Sequence, residues 1–353
     1  MCARAAAHRP EQSQGEPRPR DPGPRAQYTL PVKLRDLAWV LCATSAVTAS
    51  AALAEGKSNA WSQVKTPADG AARSIGQYTS GCLAGAAELP LDGAGYQVMH
   101  PARVRHFGHP DLVSFISDLG NGLRAAELAD LMVGDLSQPR GGPAPGGHSS
   151  HQTGLDVDLW FWVPEVARKR ALTREERETT KARSVLDPKA KTIAKAWSAR
   201  VLTMLHKAAD DGRVERIFVH PIIKRDACNA ETGDRTWLRK LRPWYGHDDH
   251  FHVRLECPKG AADCVAQTPT PRGDGCKELD WWFSPEATED RKKGRATYQA
   301  KVGKAPGMPA ECKELLASKK AVPPTEDNNA RSAANKRNAS QAAHDQNAES
   351  AGL

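Results

Sequence analysis

The sequence predicts an α+β fold: a largely antiparallel sheet with flanking helices, stabilised by disulfides. Three observations point there. Two stretches repeat apolar residues at helical spacing, others alternate with a period of two, and no regular strand-helix-strand succession joins them. A chain of 353 residues with 39% apolar and 26% charged content is ordinary for a globular protein with a real core.

Residues 1–30 are rich in Pro, Arg, Gln and Gly, and the segment after them reads as an export signal. Lys33 and Arg35 form a positive start, Leu37 to Val47 an apolar stretch, and Ala52-Leu53-Ala54 a small-residue cleavage pattern before Glu55. Residues 1–54 are therefore expected to be an N-terminal extension plus signal peptide, residues 55–312 the functional domain, and residues 313–353 a disordered polar tail of Ala, Asn, Ser, Gln and charges. The apolar stretch is short and broken by Thr and Ser, so no stable membrane insertion is expected after cleavage.

Along the domain, Leu112, Phe115, Ile116 and Leu119 mark one face of a helix over 109–119, and a strand is expected around Leu131-Met132-Val133. Residues 137–147 can only be a loop by composition. The charged stretch 165–188 reads as a solvated helix or loop. Ile193, Trp197, Val201 and Leu205 recur every fourth residue and predict a second buried helix. Val214 to His220 reads as a strand, and Thr236 to Leu241 as a short helix ahead of Pro243.

Eight cysteines are present, and six remain once Cys2 and Cys42 fall in the extension and signal: Cys82, Cys228, Cys257, Cys264, Cys276 and Cys312. An even number in an exported chain predicts three disulfides, with 15 pairings open and Cys257/Cys264 close enough for a local loop. A zinc ribbon is disfavoured because no Cys-x-x-Cys occurs. The net charge of +8 suits an anionic partner. Nucleic acid is not expected, since the basic residues are scattered, no binding motif frames them, and export removes the chain from it.

Two windows carry the chemistry: Gly147-His148-Ser149-Ser150-His151-Gln152-Thr153-Gly154-Leu155-Asp156-Val157-Asp158 and His247-Asp248-Asp249-His250-Phe251-His252. They hold five of the twelve histidines. Leu155, Val157 and Leu159 alternate with Asp156, Asp158 and Trp160, so both aspartates share one face of a strand. The same period turns Phe251, Val253 and Leu255 to the core and His250, His252 and Arg254 to the other side. Paired in one sheet, the two strands would bring a carboxylate and two imidazoles together, with His151 entering from a loop whose turn Gly154 permits.

Three protein ligands and one open position describe a catalytic zinc, and His151, Asp158 and His252 are the expected ligands. His148 is either a further ligand or a hydrogen-bond donor beside them. His250 is the candidate for acid-base or oxyanion work, and His247 would orient it or bind substrate. Asp248 and Asp249 read as turn residues, and His100, His106, His109, His206 and His220 receive no role. Trp160, Trp162, Trp281 and Trp282 read as core or sheet-face aromatics rather than a sugar-stacking platform.

These residues resemble the penicillin-insensitive murein endopeptidases, in the broader group of lysostaphin-type peptidases, D-alanyl-D-alanine peptidases and hedgehog signalling domains. The His-x6-Asp pair at His151 and Asp158 and the His-x-His of His250-Phe251-His252 carry the likeness. It extends through Phe107-Gly108-His109-Pro110-Asp111-Leu112, Arg216-Ile217-Phe218-Val219, Trp237-Leu238-Arg239-Lys240 and Gly273-Asp274-Gly275-Cys276. The resemblance implies a periplasmic zinc peptidase acting on cross-linked peptidoglycan stem peptides at the D-alanyl to meso-diaminopimelyl bond. Lacking an acylatable serine, it would ignore penicillin. By motif position the ligands fall on His151, Asp158 and His252 with His148 nearby, and active-site histidines on His250 and His247. The residues for the second metal of some relatives are not matched: Asp187 is present, but no histidine lies between His151 and His206. A D,D- or L,D-carboxypeptidase on uncross-linked stems, and a non-catalytic zinc-bearing wall-binding module, are the alternatives.

Overall fold

A computed structural model describes residues 58–146, 149–292 and 307–318. The expected signal at 33–54, His148, and the tail beyond 318 lie outside the described residues. All described residues belong to one unit, 52–353.

The N-terminal half runs α1 (Ala60–Gln63), β1 (Arg73–Gln77), β2 (Ser80–Ala84), β3 (Ala87–Glu88), β4 (Asp92–Gly93), β5 (Tyr96–Val98), β6 (Phe107–Gly108), α2 (Pro110–Ala125) and β7 (Leu131–Val133). The C-terminal half adds β8 (Asp156–Trp160), α3 (Arg174–Thr179), β9 (Leu186–Asp187), β10 (Thr192–Ile193), α4 (Lys195–Asp210), β11 (Val214–Val219) and α5 (Pro221–Ala230). After a 3-10 turn at Thr236–Lys240 come β12 (Leu241–Pro243), β13 (His250–Leu255), α6 (Leu279–Trp282), α7 (Pro285–Lys292) and α8 (Ala310–Ala317).

The α+β class holds. Seven strands form the main sheet in the order β12-β11-β13-β8-β7-β5-β4. Its centre is antiparallel, while β11–β12 and β5–β7 pair in parallel. Pro243 sits on edge strand β12, where its missing N–H takes no ladder bond from the sheet.

Alternation gives this sheet two unlike faces. Val157, Leu159, Phe251, Val253 and Leu255 join the apolar core with Leu112, Phe115, Ile116, Leu119 and Leu123 of α2, and with Val201, Met204 and Leu205 of α4. Helix α2 starts where expected because His109 Nδ1 accepts the Asp111 N–H and Pro110 occupies the first turn. Helix α4 starts later than its apolar repeat: Ile193 belongs to β10, and its N–H donates to Asp226 Oδ2 at 2.6 Å. The stretch 165–188 contains the short helix α3, opened by a reciprocal Thr173/Glu176 cap.

The opposite face carries Asp156, Asp158, His252 and Arg254, all buried. Residues 149–154 and the β1–β2 hairpin lie over it. Gln152 pins them together, its Nε2 donating to Thr79 O at 2.9 Å and its Oε1 accepting from the Gly81 N–H at 3.3 Å. Trp160 closes one end in a small cluster with Met99, Met132, Val163 and Leu172.

Among the described residues three disulfides form: Cys82–Cys312, Cys228–Cys276 and the local Cys257–Cys264. The first ties β2 to α8, which continues past Cys312 to Ala317, beyond the residue where the tail was expected to begin. Arg140 holds the same helix by donating to the carbonyl oxygens of Leu315 (2.7 Å), Leu316 (3.1 Å) and Ser318 (2.8 Å). Among the described residues no helix is long and apolar enough to cross a membrane.

Candidate active site and metal centre

Asp158 and His252 are direct cross-strand partners in the β8–β13 register. Their side chains consequently stand side by side on the polar face, His252 Nδ1 lying 3.2 Å from Asp158 Oδ1. His151 reaches the same oxygen from the loop, with Nε2 at 3.5 Å. Ligand-type atoms of these three residues lie within 4.8 Å of one another.

Local backbone chemistry delivers His151. Its own φ is +66°, a left-handed conformation that a non-glycine residue adopts only when its surroundings enforce it. Gly154 follows with φ +74°, and a Cβ there would meet Leu83 Cδ2 at 2.4 Å. The turn therefore needs glycine for two reasons, as its place in the motif suggested.

Carboxylates fix the imidazoles. His252 Nε2–H donates to Asp156 Oδ1 at 2.7 Å, which leaves the lone pair on Nδ1, the atom facing Asp158. His250 Nδ1–H donates to Asp249 Oδ1 at 2.5 Å, and its Nε2 lies 3.7 Å from Asp158 Oδ1. His247 packs against the His250 ring at 4.9 Å between centroids, and its Nδ1–H donates to Tyr245 O at 3.3 Å.

The field of the site favours cations. Burial opposes the charged form of His151, but Asp158, Asp156 and Asp135 outweigh it and push its pKa up to about 9. Burial likewise opposes ionisation of Asp156, yet Arg254 and His252 hold that carboxyl below the usual range. Asp158 is held well below it too, against burial, by His151 and His250. His250 is raised despite burial by Asp158 and Asp249. His247 goes the other way: burial first, then the neighbouring His250 and His252, bring it down to about 3, so it stays neutral.

Such a donor set fits a divalent cation of borderline softness. Two imidazoles and one carboxylate converge, both imidazoles are buried, and one has its tautomer set by a carboxylate behind it. Asp187, the aspartate considered for a second metal, is instead taken up in a turn, where Oδ1 accepts the Lys189 and Ala190 N–H groups at 2.8 and 3.0 Å.

The structure thus gathers His151, Asp158, His252, His250 and His247 in one place, while His148 lies outside the described residues. Two residues acquire contacts that the sequence reading did not assign. Asp249, expected to be a turn residue, holds the ring of His250, and Asp156 holds that of His252. Strand phase already put Asp156 beside Asp158. For Asp249 the only signal was adjacency to His250. Trp281, expected as a core or sheet-face aromatic, instead lies on helix α6 and is 43% exposed.

A buried His-Asp-His donor group beside a histidine held by an aspartate is the equipment of a metal-dependent peptidase. Comparison with known proteins narrows the class. The chain belongs to the penicillin-insensitive murein endopeptidase family, whose pattern it matches over residues 74–317. It is 42% identical over 263 residues to the penicillin-insensitive murein endopeptidase of Haemophilus influenzae, covering 73% of this chain and 88% of that protein. Its counterpart from Klebsiella pneumoniae is 41% identical over 258 residues, and that from Yersinia enterocolitica 40% over 260, each covering 72% of this chain and 90% of the relative.

Proposed function

We propose that this murein endopeptidase is exported by the signal at 33–54 and acts in the periplasm as a zinc enzyme. Its substrate would be the D-alanyl to meso-diaminopimelyl cross-link between peptidoglycan stem peptides. The observation that carries this is the placement of Asp158 Oδ1 within 3.7 Å of His151, His252 and His250.

His151, Asp158 and His252 would hold the zinc, with His148 beside them. The ion would supply Lewis acidity at the scissile carbonyl and make water acidic enough to lose a proton near pH 7. Every proton movement falls to the chain's own residues. His250, held through Nδ1 by Asp249, has Nε2 turned inward to take a proton from water and return it to the departing amine. His247 is neutral with Nδ1–H engaged by Tyr245 O, so its Nε2 is the ring atom able to accept a hydrogen bond from substrate.

Mass spectrometry of products from defined dimeric and monomeric muropeptides tests this. Dimers should be split to monomers while monomers keep their terminal D-alanine. Trimming of monomers with dimers left intact would make the enzyme a carboxypeptidase instead.

A further inference from the structure

Behind His252 a second contact continues inward. Asp156 is fully buried, and its Oδ1 receives two donors at the same distance, His252 Nε2 and Arg254 Nε, each at 2.7 Å. Arg254 is itself held by further contacts. Its Nη1 donates to Gln267 Oε1 at 2.6 Å, and its guanidinium carbon lies 3.6 Å from the Tyr78 ring centroid and 5.4 Å from that of Phe218. Phe218 in turn packs edge-on against the His252 ring at 5.3 Å.

We propose that Arg254 and Tyr78 are positioning residues for the metal: the stacked guanidinium fixes Asp156, and Asp156 fixes the ring and tautomer of His252. The proposal rests on His252 being a ligand. Its physical basis is geometric. A carboxylate with a single histidine donor can swing about its Cβ–Cγ bond, whereas a second donor on the same oxygen, itself stacked on an aromatic ring, holds the acceptor still. Lysine in place of Arg254 would keep the charge yet lose the planar fork that joins Asp156 to Gln267 and the flat face that meets Tyr78. Tyr78 sits at the tip of the β1–β2 hairpin, where its carbonyl accepts the Gln152 N–H at 3.4 Å. One residue of that hairpin thereby touches both the support of His252 and the loop that carries His151.

The test is zinc affinity, measured by competition with a chromogenic chelator on purified, metal-stripped protein, for the parent, Arg254→Lys, Tyr78→Leu and His252→Ala. Melting of each metal-free variant shows which are folded. Loss of outer support for a metal-ligating histidine costs about 10–100-fold in affinity, and Arg254→Lys should fall in that range. Tyr78→Leu, which leaves every charge in place, should weaken zinc at least threefold. In ¹⁵N spectra of metal-free parent protein the His252 ring should carry its proton on Nε2, and that preference should weaken in both variants.

Zinc affinity within threefold of the parent in folded Arg254→Lys, with His252→Ala strongly weakened, overturns the relay and leaves the ligand assignment standing. Parent-like affinity in His252→Ala overturns both. Should Arg254→Lys fail to fold, Tyr78→Leu decides by the same threefold criterion.

Discussion

Asp158 Oδ1 faces three imidazoles at 3.2, 3.5 and 3.7 Å, from His252, His151 and His250. A side chain so placed has no neutral substitute. Asp158→Ala, His151→Ala and His252→Ala should each abolish cross-link cleavage and release zinc, as read by muropeptide turnover and metal content after dialysis. Asp249→Asn separates orientation from binding. Zinc content should stay at the parental level, while kcat falls by roughly 10²–10⁴-fold, the range of general acid-base catalysis. Unchanged kcat would remove Asp249 from the mechanism. Much of this was legible in the sequence, because a period of two decides which side chains share a face. It does not decide which carboxylate meets which ring nitrogen. The pairings of Asp156 with His252 and of Asp249 with His250 needed the actual register and rotamers.

Individual elements tell a similar story. The helices α2 and α4 and strands β8, β11 and β13 have runs long enough for periodicity to register. Strands β3, β4 and β9, of two residues each, carry no period at all. Helix α5 was signalled only by His220 and Pro221, the same cap-then-proline pair that opens α2. Disulfide pairing was one of 15 and belongs to tertiary structure, not to spacing. The Cys82–Cys312 bond closes the longest span of the three, 230 residues. Replacing both cysteines by alanine should cost roughly 2–5 kcal/mol in denaturant unfolding, and no measurable loss would show that Arg140, the Arg73–Glu311 ion pair and apolar packing dock α8 without the disulfide.

Lys224 of α5 gives a pH test at the same scale. Its Nζ donates to Leu238 O and Asp274 O, each at 2.6 Å, and burial, with Arg242 nearby, brings its pKa down to about 7. Between pH 7 and the ordinary lysine value of 10.5 the unfolded chain therefore binds more protons at this site than the folded one. Its contribution to stability rises with pH across that window and is least favourable below it. Melting curves should show this upward slope reduced in Lys224→Met, alongside a general loss from two carbonyls left without a donor. An unaltered slope would contradict the assignment.

Taken whole, the molecule spends the two faces of one sheet differently. The apolar face, covered by α2 and α4, supplies the stability, and the polar face, covered by a loop and a disulfide-stapled hairpin, holds buried charges that only a cation or mutual pairing makes tolerable. The net charge of +8 is consistent with an anionic wall polymer but did not by itself select one. Penicillin should leave turnover untouched, and a chelator should stop it.

The most direct measurement is cleavage of purified cross-linked muropeptide dimers by metal-stripped protein before and after addition of one equivalent of zinc. Activity should be absent from the stripped protein and return with zinc, and the restored enzyme should yield monomers. Full-rate splitting by protein shown to contain no metal would contradict a metal-dependent site at His151, Asp158 and His252.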